Sequence, residues 1–237
     1  RAFAQNGSLT LFDASQRPIS MEAMTLVNSS GTGLVVKINQ ASKIGPGVFM
    51  NNGSVTAIFL DSDTLELDPW AFLSGNNGKD AFSSLYPGAV IYVDDETTKE
   101  LLKDSSGNLT FTNSTTINGS ERKVNKFNIA VTNGGTFADN TTFAANKLPT
   151  PVKAGYTFGG WYTDAACTTG VLAAGTGGIY TATGSETGTV YYAKWTLADN
   201  NVEITYNPNI LGGNDKNVVR VAVKNSDTAV ASALFSR

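Results

Sequence analysis

Apolar residues in the N-terminal part of the chain recur with a period of 23 residues. The segment Ile-Gly-Pro-Gly-Val-Phe at 44–49 is followed 23 positions later by Leu-Asp-Pro-Trp-Ala-Phe at 67–72. The Ala-Phe pair at 2–3, with the Asn-Gly-Ser after it, returns two periods later as Val-Phe and Asn-Gly-Ser between 48 and 54. A period of this length is typical of stacked repeats. One phenylalanine is predicted to anchor each of these units: Phe3, Phe49 and Phe72.

Each unit also carries a segment with the alternation of a β-strand. A degenerate unit holds the alternating residues Leu34, Val36 and Ile38, and the next unit holds the apolar run 55–60. A last copy at 89–93 is delayed by an insertion. Because one unit cannot bury its own apolar face, we predict that the units stack into a solenoid.

The segment 94–103 follows the last repeat and is predicted to be a short helix. It is acidic at its start and basic at its end, which suits the helix dipole, and Asp94 or Asp95 can act as its N-cap. Such a helix would close the open end of the stack.

A second pattern begins after a polar, turn-rich connection in which 109–111 is predicted to be a strand. Residues 126–131 alternate as a strand, and the Asn-Gly-Gly stretch within 132–136 turns the chain. The glycine-rich stretch 168–184 is predicted to be a loop. Large aromatic side chains are predicted to core a small sheet domain here: Tyr156, Phe158, Trp161, Tyr191 and Trp195.

The last part of the chain, 199–237, contains two further apolar alternations. Residues 202–206 and 218–223 are predicted to be strands on either side of Asn-Pro-Asn and Gly-Gly-Asn turns. They are either the start of a further module or strands that complete the neighbouring sheet.

Composition supports a mainly β fold class. Of the 237 residues, 41% are hydrophobic and 16% are charged, against roughly 25% charged in an average soluble domain. The polar surface must therefore consist largely of Asn, Thr, Ser and Gly, which suit strands and turns. We predict a short solenoid with a C-terminal capping helix, followed by a small sheet domain.

Charge and residue usage exclude several functions. The chain has no histidine, which removes the usual nucleophile activation and general base near neutral pH. A net charge of −3 with only 17 basic residues does not favour nucleic acid as a partner. With no long apolar run, we expect no membrane insertion in this fragment. Position 1 falls inside a repeat and is not Met, so we expect further units upstream in a longer multi-domain chain.

The repeat pattern resembles the BspA-type leucine-rich repeats across residues 1–104. The shared features are the apolar-Gly-x-x-x-Phe segment, the turn, the Ser-Leu/Val-Thr-x-Ile strand and the final Tyr-Val-Asp-Asp strand and helix. The chain departs from the family where asparagine replaces the familiar loop cysteine. The resemblance implies a leucine-rich-repeat solenoid.

The motifs Asn-Gly-Gly-Thr, Pro-Thr-Pro, Gly-Tyr-Thr-Phe-Gly-Gly-Trp-Tyr-Thr-Asp and Tyr-Ala-Lys-Trp occur in this order across 126–196. This part of the chain closely resembles the Listeria–Bacteroides repeat, or internalin B-repeat. The resemblance implies a β-grasp-like module of secreted and wall-attached bacterial proteins, with a spacer or adhesive role and no known chemistry. We therefore divide the chain into a solenoid at 1–104, a connection at 105–125, the repeat at 126–198 and an extra β segment or truncated module at 199–237.

These resemblances imply a non-catalytic bacterial cell-surface adhesion or interaction protein, located extracellularly. The solenoid would bind a host or extracellular-matrix protein, with a glycan as another possible partner, and the repeat would act as spacer or display module. Solenoids bind through an extended sheet face, so the predicted binding residues are Thr56, Ile58 and Leu60. Two alternatives remain open: a carbohydrate-binding module, and an accessory region of a secreted hydrolase.

No catalytic, cofactor-binding or metal-binding residues are predicted, and we expect no enzyme activity. The carboxylates around Asp61 to Asp68 resemble neither a calcium loop nor a facing catalytic pair, and are interpreted as a solvated turn. Cys167 has no histidine to activate it. Four aromatic residues raise the possibility of a sugar platform, although Trp161 is expected in the core: Trp70, Tyr86, Trp161 and Tyr162.

Overall fold

The structure is a computed structural model of the chain. It describes residues 3, 6–22, 25–26, 33–38, 42–45, 48–49, 55–60, 66–67, 88–100, 102, 115–117, 120–122, 128–182, 189–206 and 218–223. The predicted strand at 109–111, Phe72, Trp70 and Tyr86 lie outside these residues.

The fold is mainly β, as predicted, and α1 (Glu96–Glu100) is the one α-helix in the part that the structure describes. The strands are β1 (Leu11–Ala14), β2 (Ser20–Met21), β3 (Leu34–Ile38), β4 (Lys43–Ile44), β5 (Val55–Leu60), β6 (Glu66–Leu67), β7 (Val90–Val93), β8 (Thr115–Ile117), β9 (Ser120–Arg122), β10 (Asn128–Val131), β11 (Lys147–Pro149), β12 (Tyr156–Tyr162), β13 (Ile179–Thr181), β14 (Val190–Leu197), β15 (Asn201–Tyr206) and β16 (Val218–Val223).

A seven-stranded sheet forms the centre of the molecule, in the order β1-β3-β5-β7-β10-β14-β12. The first six strands run parallel, and β12 joins antiparallel to β14. The sheet continues through the predicted boundary at 105–125, because β10 pairs with β7 from Asn128 opposite Val90 to Val131 opposite Val93. The division of the chain into domains stays a prediction, but the backbone of the two halves belongs to one sheet.

The 23-residue period reappears in a second, three-stranded parallel sheet of β2, β4 and β6. Ser20 lies opposite Lys43, and Lys43 lies opposite Glu66. Each step is 23 residues along the chain, so one sequence period equals one step from strand to strand.

The anchoring position of each unit can be followed along the same period. Phe49 is fully buried, and Leu26, 23 residues earlier, is fully buried in the degenerate unit. The backbone N–H of Leu26 donates to the carbonyl of Val48 at 3.2 Å, which ties these two units together. Phe3 is 40% exposed and packs edge-on against Phe12, so its predicted role as a buried anchor is not realised. No described unit stacks beyond Phe3 to cover its ring.

The C-terminal elements follow the predicted strands closely, but their pairing differs. The chain turns after β10, where Asn133 and Gly134 both have positive φ. It does not form a hairpin there, because β10 pairs in parallel with β14. The stretch predicted as a loop contains β13, which pairs with β11. The two predicted strands near the C-terminus form the antiparallel pair β15–β16.

The central sheet separates two apolar clusters. The interior cluster lies between the two parallel sheets and includes Leu34, Ile44 and Ile58. The outer cluster lies on the opposite face of the central sheet, where Val90 and Trp161 pack in the same group. The aromatic core that the sequence indicated for the C-terminal module thus extends across both halves of the chain.

Candidate functional site

The residues predicted to form a binding face are buried. Thr56 is 7% exposed, Ile58 is fully buried and Leu60 is 1% exposed, so the expectation of an accessible face does not hold for their side chains. The cause is a register shift: Val55 lies opposite Leu34 and Ala57 opposite Val35, which leaves Thr56 as an extra residue. Beyond it, Ile58 and Leu60 belong to the interior cluster. A binding role for these residues stays a prediction, and it would require their side chains to leave the core.

The outer face of the central sheet is covered instead by the chain's own segment 137–149. Phe59 on β5 and Tyr92 on β7 stack at 4.8 Å between ring centroids. Phe137 and Phe143 meet both rings edge-on, at 5.0–5.8 Å, and meet each other at 5.2 Å. All six pairs of rings are therefore in contact. We call these four residues the seam cluster, because they join strands of the repeats to the C-terminal segment.

Two hydrogen bonds fix the backbone of the covering segment at the seam cluster. The Thr56 hydroxyl donates to the carbonyl of Phe143 at 3.2 Å, and the Tyr92 hydroxyl donates to the carbonyl of Lys147 at 3.2 Å. Burial raises the pKa of Tyr92, since its phenolate would lie in an apolar environment. Thr56 therefore has a structural position, holding the segment that covers the strand.

A second group of aromatic rings lies within the C-terminal module. Phe158 lies 5.7 Å from Trp161 and 5.4 Å from Trp195 between ring centroids. Trp161 is fully buried and donates from Nε1 to the carbonyl of Pro149, while Trp195 donates to the carbonyl of Thr132. These rings were predicted as core. Tyr156, also predicted there, is only partly buried and donates its hydroxyl to Glu203.

The helix α1 also contacts the C-terminal module. Lys99 lies against the Tyr192 ring on β14, donates to its hydroxyl at 3.2 Å, and pairs with Glu96. Burial alone would lower the pKa of Lys99, but its hydrogen bonds to Glu96 and Tyr192 outweigh burial and raise it. The helix therefore contacts a strand of the repeat module as well as the end of the parallel strands.

A cavity of about 400 Å³ opens beside the seam cluster, at the carboxyl ends of β3, β5 and β7. We call it the seam cavity. Phe59, Phe137 and Phe143 contribute its apolar wall. Its polar groups come from Lys37 on β3 and from the turn after β10, which supplies Thr132 and Asp139. The sequence gave no signal for it, because its lining residues are up to 100 positions apart and none lies in a recognisable motif.

The remaining candidates from the sequence do not form a reactive site. Cys167 is buried, and burial raises the pKa of its thiol. Glu66, the described member of the carboxylate string, pairs with Lys43 at 3.3 Å on the surface. Among the described residues, no group of three or more potential metal ligands comes together. No described helix is long and apolar enough to cross a membrane.

Comparison with known proteins assigns part of the chain. No curated protein and no solved structure matches it. The match that does occur reaches back to residue 108, into the segment predicted as a connection. It includes β8 to β13 and most of β14. Residues 108–194 match the Listeria-Bacteroides repeat domain, a repeat domain of surface proteins.

Proposed function

We propose that this chain is a non-catalytic, extracellular interaction region of a bacterial surface protein, in which stacked repeats bind a host or matrix protein. The observation that carries the proposal is the match of residues 108–194 to a repeat domain of surface proteins. The apolar clusters and the buried thiol fit a role in binding and display, since neither provides an activated nucleophile.

We infer that the N-terminal part is a leucine-rich-repeat solenoid of the BspA type, with α1 as its cap. Two parallel sheets that advance by one strand per 23 residues support this inference. The position of α1 next to β7 and β10 supports the capping role, because Thr98 on the helix is buried. The parallel pairing of β10 with β14 supports a β-grasp-like module after it.

The accessible part of the outer sheet face lies on β1 and β3, away from the segment that covers β5 and β7. Leu11 is 50% exposed, and its neighbour in the register, Val35, is partly exposed. We place the partner-binding surface there, in place of Thr56, Ile58 and Leu60. An apolar pair flanked by the Asp13–Lys37 ion pair has the composition of a protein contact surface.

The test compares two charge substitutions on the purified chain. Leu11→Asp and Val35→Asp should each abolish binding to immobilised host cells or matrix proteins, whereas Val171→Asp should leave it unchanged. Val171 is a matched control, because it is 56% exposed and lies in the repeat module. Binding that survives both substitutions on β1 and β3, or that Val171→Asp reduces equally, would contradict this surface.

A further inference from the structure

The seam cavity has the size and the closure of a small-ligand site. Its volume of about 400 Å³ falls within the roughly 300–1,000 Å³ of known ligand pockets. The cavity lies at the carboxyl ends of parallel strands, between the repeats and the turn that follows β10. A ligand there would touch both halves of the molecule at once.

Three polar groups of different kinds line this cavity with unused hydrogen-bonding capacity. Lys37 makes one loose ion pair, 3.7 Å from Asp13. Among the described residues, Asp139 has no ion-pair or hydrogen-bond partner. Thr132 is only 4% exposed, and within the same residues its hydroxyl has no hydrogen-bond partner. The cavity thus offers a cationic donor, an anionic acceptor and a hydroxyl that can do both.

The apolar wall is aromatic and only partly covered. Phe59, Phe137 and Phe143 are each partly exposed, whereas Tyr92 behind them is 2% exposed. A ligand with an apolar side can therefore cover these rings and remove their remaining surface from water.

The mixture of charges selects the chemistry of the occupant. A carboxylate ligand would be repelled by Asp139, and an ammonium ligand by Lys37, at the low effective dielectric of a cavity. A neutral molecule with adjacent hydroxyl groups can accept from Lys37 and donate to Asp139 together. A sugar ring combines such hydroxyl groups with an apolar C–H side. We propose that the seam cavity binds a neutral carbohydrate of one or two rings.

The test is a screen of the whole chain against an array of neutral mono- and oligosaccharides, with isothermal titration of the strongest binder. Asp139→Asn and Lys37→Met should each weaken that binding about tenfold, because a hydrogen bond to a charged group contributes roughly 1.5–3 kcal/mol. Thr132→Val keeps the side-chain shape and should weaken it several-fold. Thermal unfolding of each variant checks that the fold is intact.

The matched control is Lys43→Met, which breaks a similar surface ion pair, with Glu66, on the other sheet. It should leave sugar binding unchanged. The proposal is overturned if no neutral sugar binds, if charged sugars or apolar peptides bind in preference, or if Asp139→Asn and Lys37→Met bind as the wild type does. The partner-protein surface on β1 and β3 is tested with Leu11→Asp and Val35→Asp, so the two proposals can fail separately.

Discussion

Individual aromatic residues decide how the two halves of the chain meet. Phe59 and Tyr92 lie side by side on neighbouring parallel strands, in register with each other. Parallel pairing stacks like side chains along a sheet face, and their rings lie within 11° of parallel. Phe137 and Phe143 then meet the positive edges and negative faces of these rings in the edge-on geometry that aromatic pairs prefer. A few side chains thus replace an extensive interface.

Phe143→Ala should destabilise the protein by about 2–3 kcal/mol, somewhat less than the roughly 3–5 kcal/mol of a fully buried phenylalanine. The substitution removes ring contacts with Phe59, Tyr92 and Phe137. Chemical denaturation provides the measurement. Val171→Ala, at a 56% exposed position, should change stability by less than about 0.5 kcal/mol. A Phe143→Ala variant as stable as this control would show that the seam cluster contributes little.

Tyr92 should make stability depend on alkaline pH. Burial raises its pKa in the folded state, so the folded protein keeps this proton when the unfolded chain has lost it. The contribution is complete below about pH 10, the ordinary pKa of tyrosine, and is lost progressively above it. Denaturation curves between pH 8 and pH 11 should fall less steeply for Tyr92→Phe than for the wild type. Equal slopes would mean that the phenol is not buried in solution.

The elements themselves follow from the sequence better than their neighbours do. The run 55–60 matches β5 residue for residue, and the alternation of Leu34, Val36 and Ile38 matches the buried positions of β3. These patterns are local, and burial on one face imposes them directly. The extra residue Thr56 is not local in origin, since it arises from the register between two strands. It changed which side chains face outward, so the predicted binding face was placed in the core.

The seam cavity shows the same division between local and long-range information. Lys37, Phe59 and Asp139 come together only because β10 joins the parallel sheet. Pairing between strands far apart in sequence leaves no periodic trace in either strand. A family resemblance that treats the two modules separately cannot reveal a site between them.

Helix α1 depends on its first residues, because five residues cannot form a stable helix unaided. The Asp95 carboxylate accepts from the backbone N–H of Thr98 at 2.8 Å, which identifies Asp95 as the N-cap. Asp95→Ala should cost about 1 kcal/mol, and Asp95→Ser should restore most of it. Thermal denaturation measures both. Asp199→Ala, at an exposed turn, serves as the control, and an equal loss there would argue against a specific capping effect.

At the scale of the whole molecule, the central sheet is the feature that both halves share. Its order places β7 beside β10, so the last parallel strand of the repeats is also the neighbour of the first strand of the repeat module. The seam cluster covers this junction on one face, and α1 contacts both strands near it. A repeat module attached in this way has a fixed orientation relative to the stacked repeats, as a rigid display element requires.

This shared sheet should make the protein unfold in one cooperative transition, because separating the halves would expose the backbone groups of β7 and β10 and the buried Val90 and Ala130. Differential scanning calorimetry should give a calorimetric enthalpy equal to the van't Hoff enthalpy. Ala130→Asp places an unpaired carboxylate at the junction and should split the transition in two, since each half keeps part of its own core. Two transitions in the wild type would mean that the halves fold independently despite their common sheet.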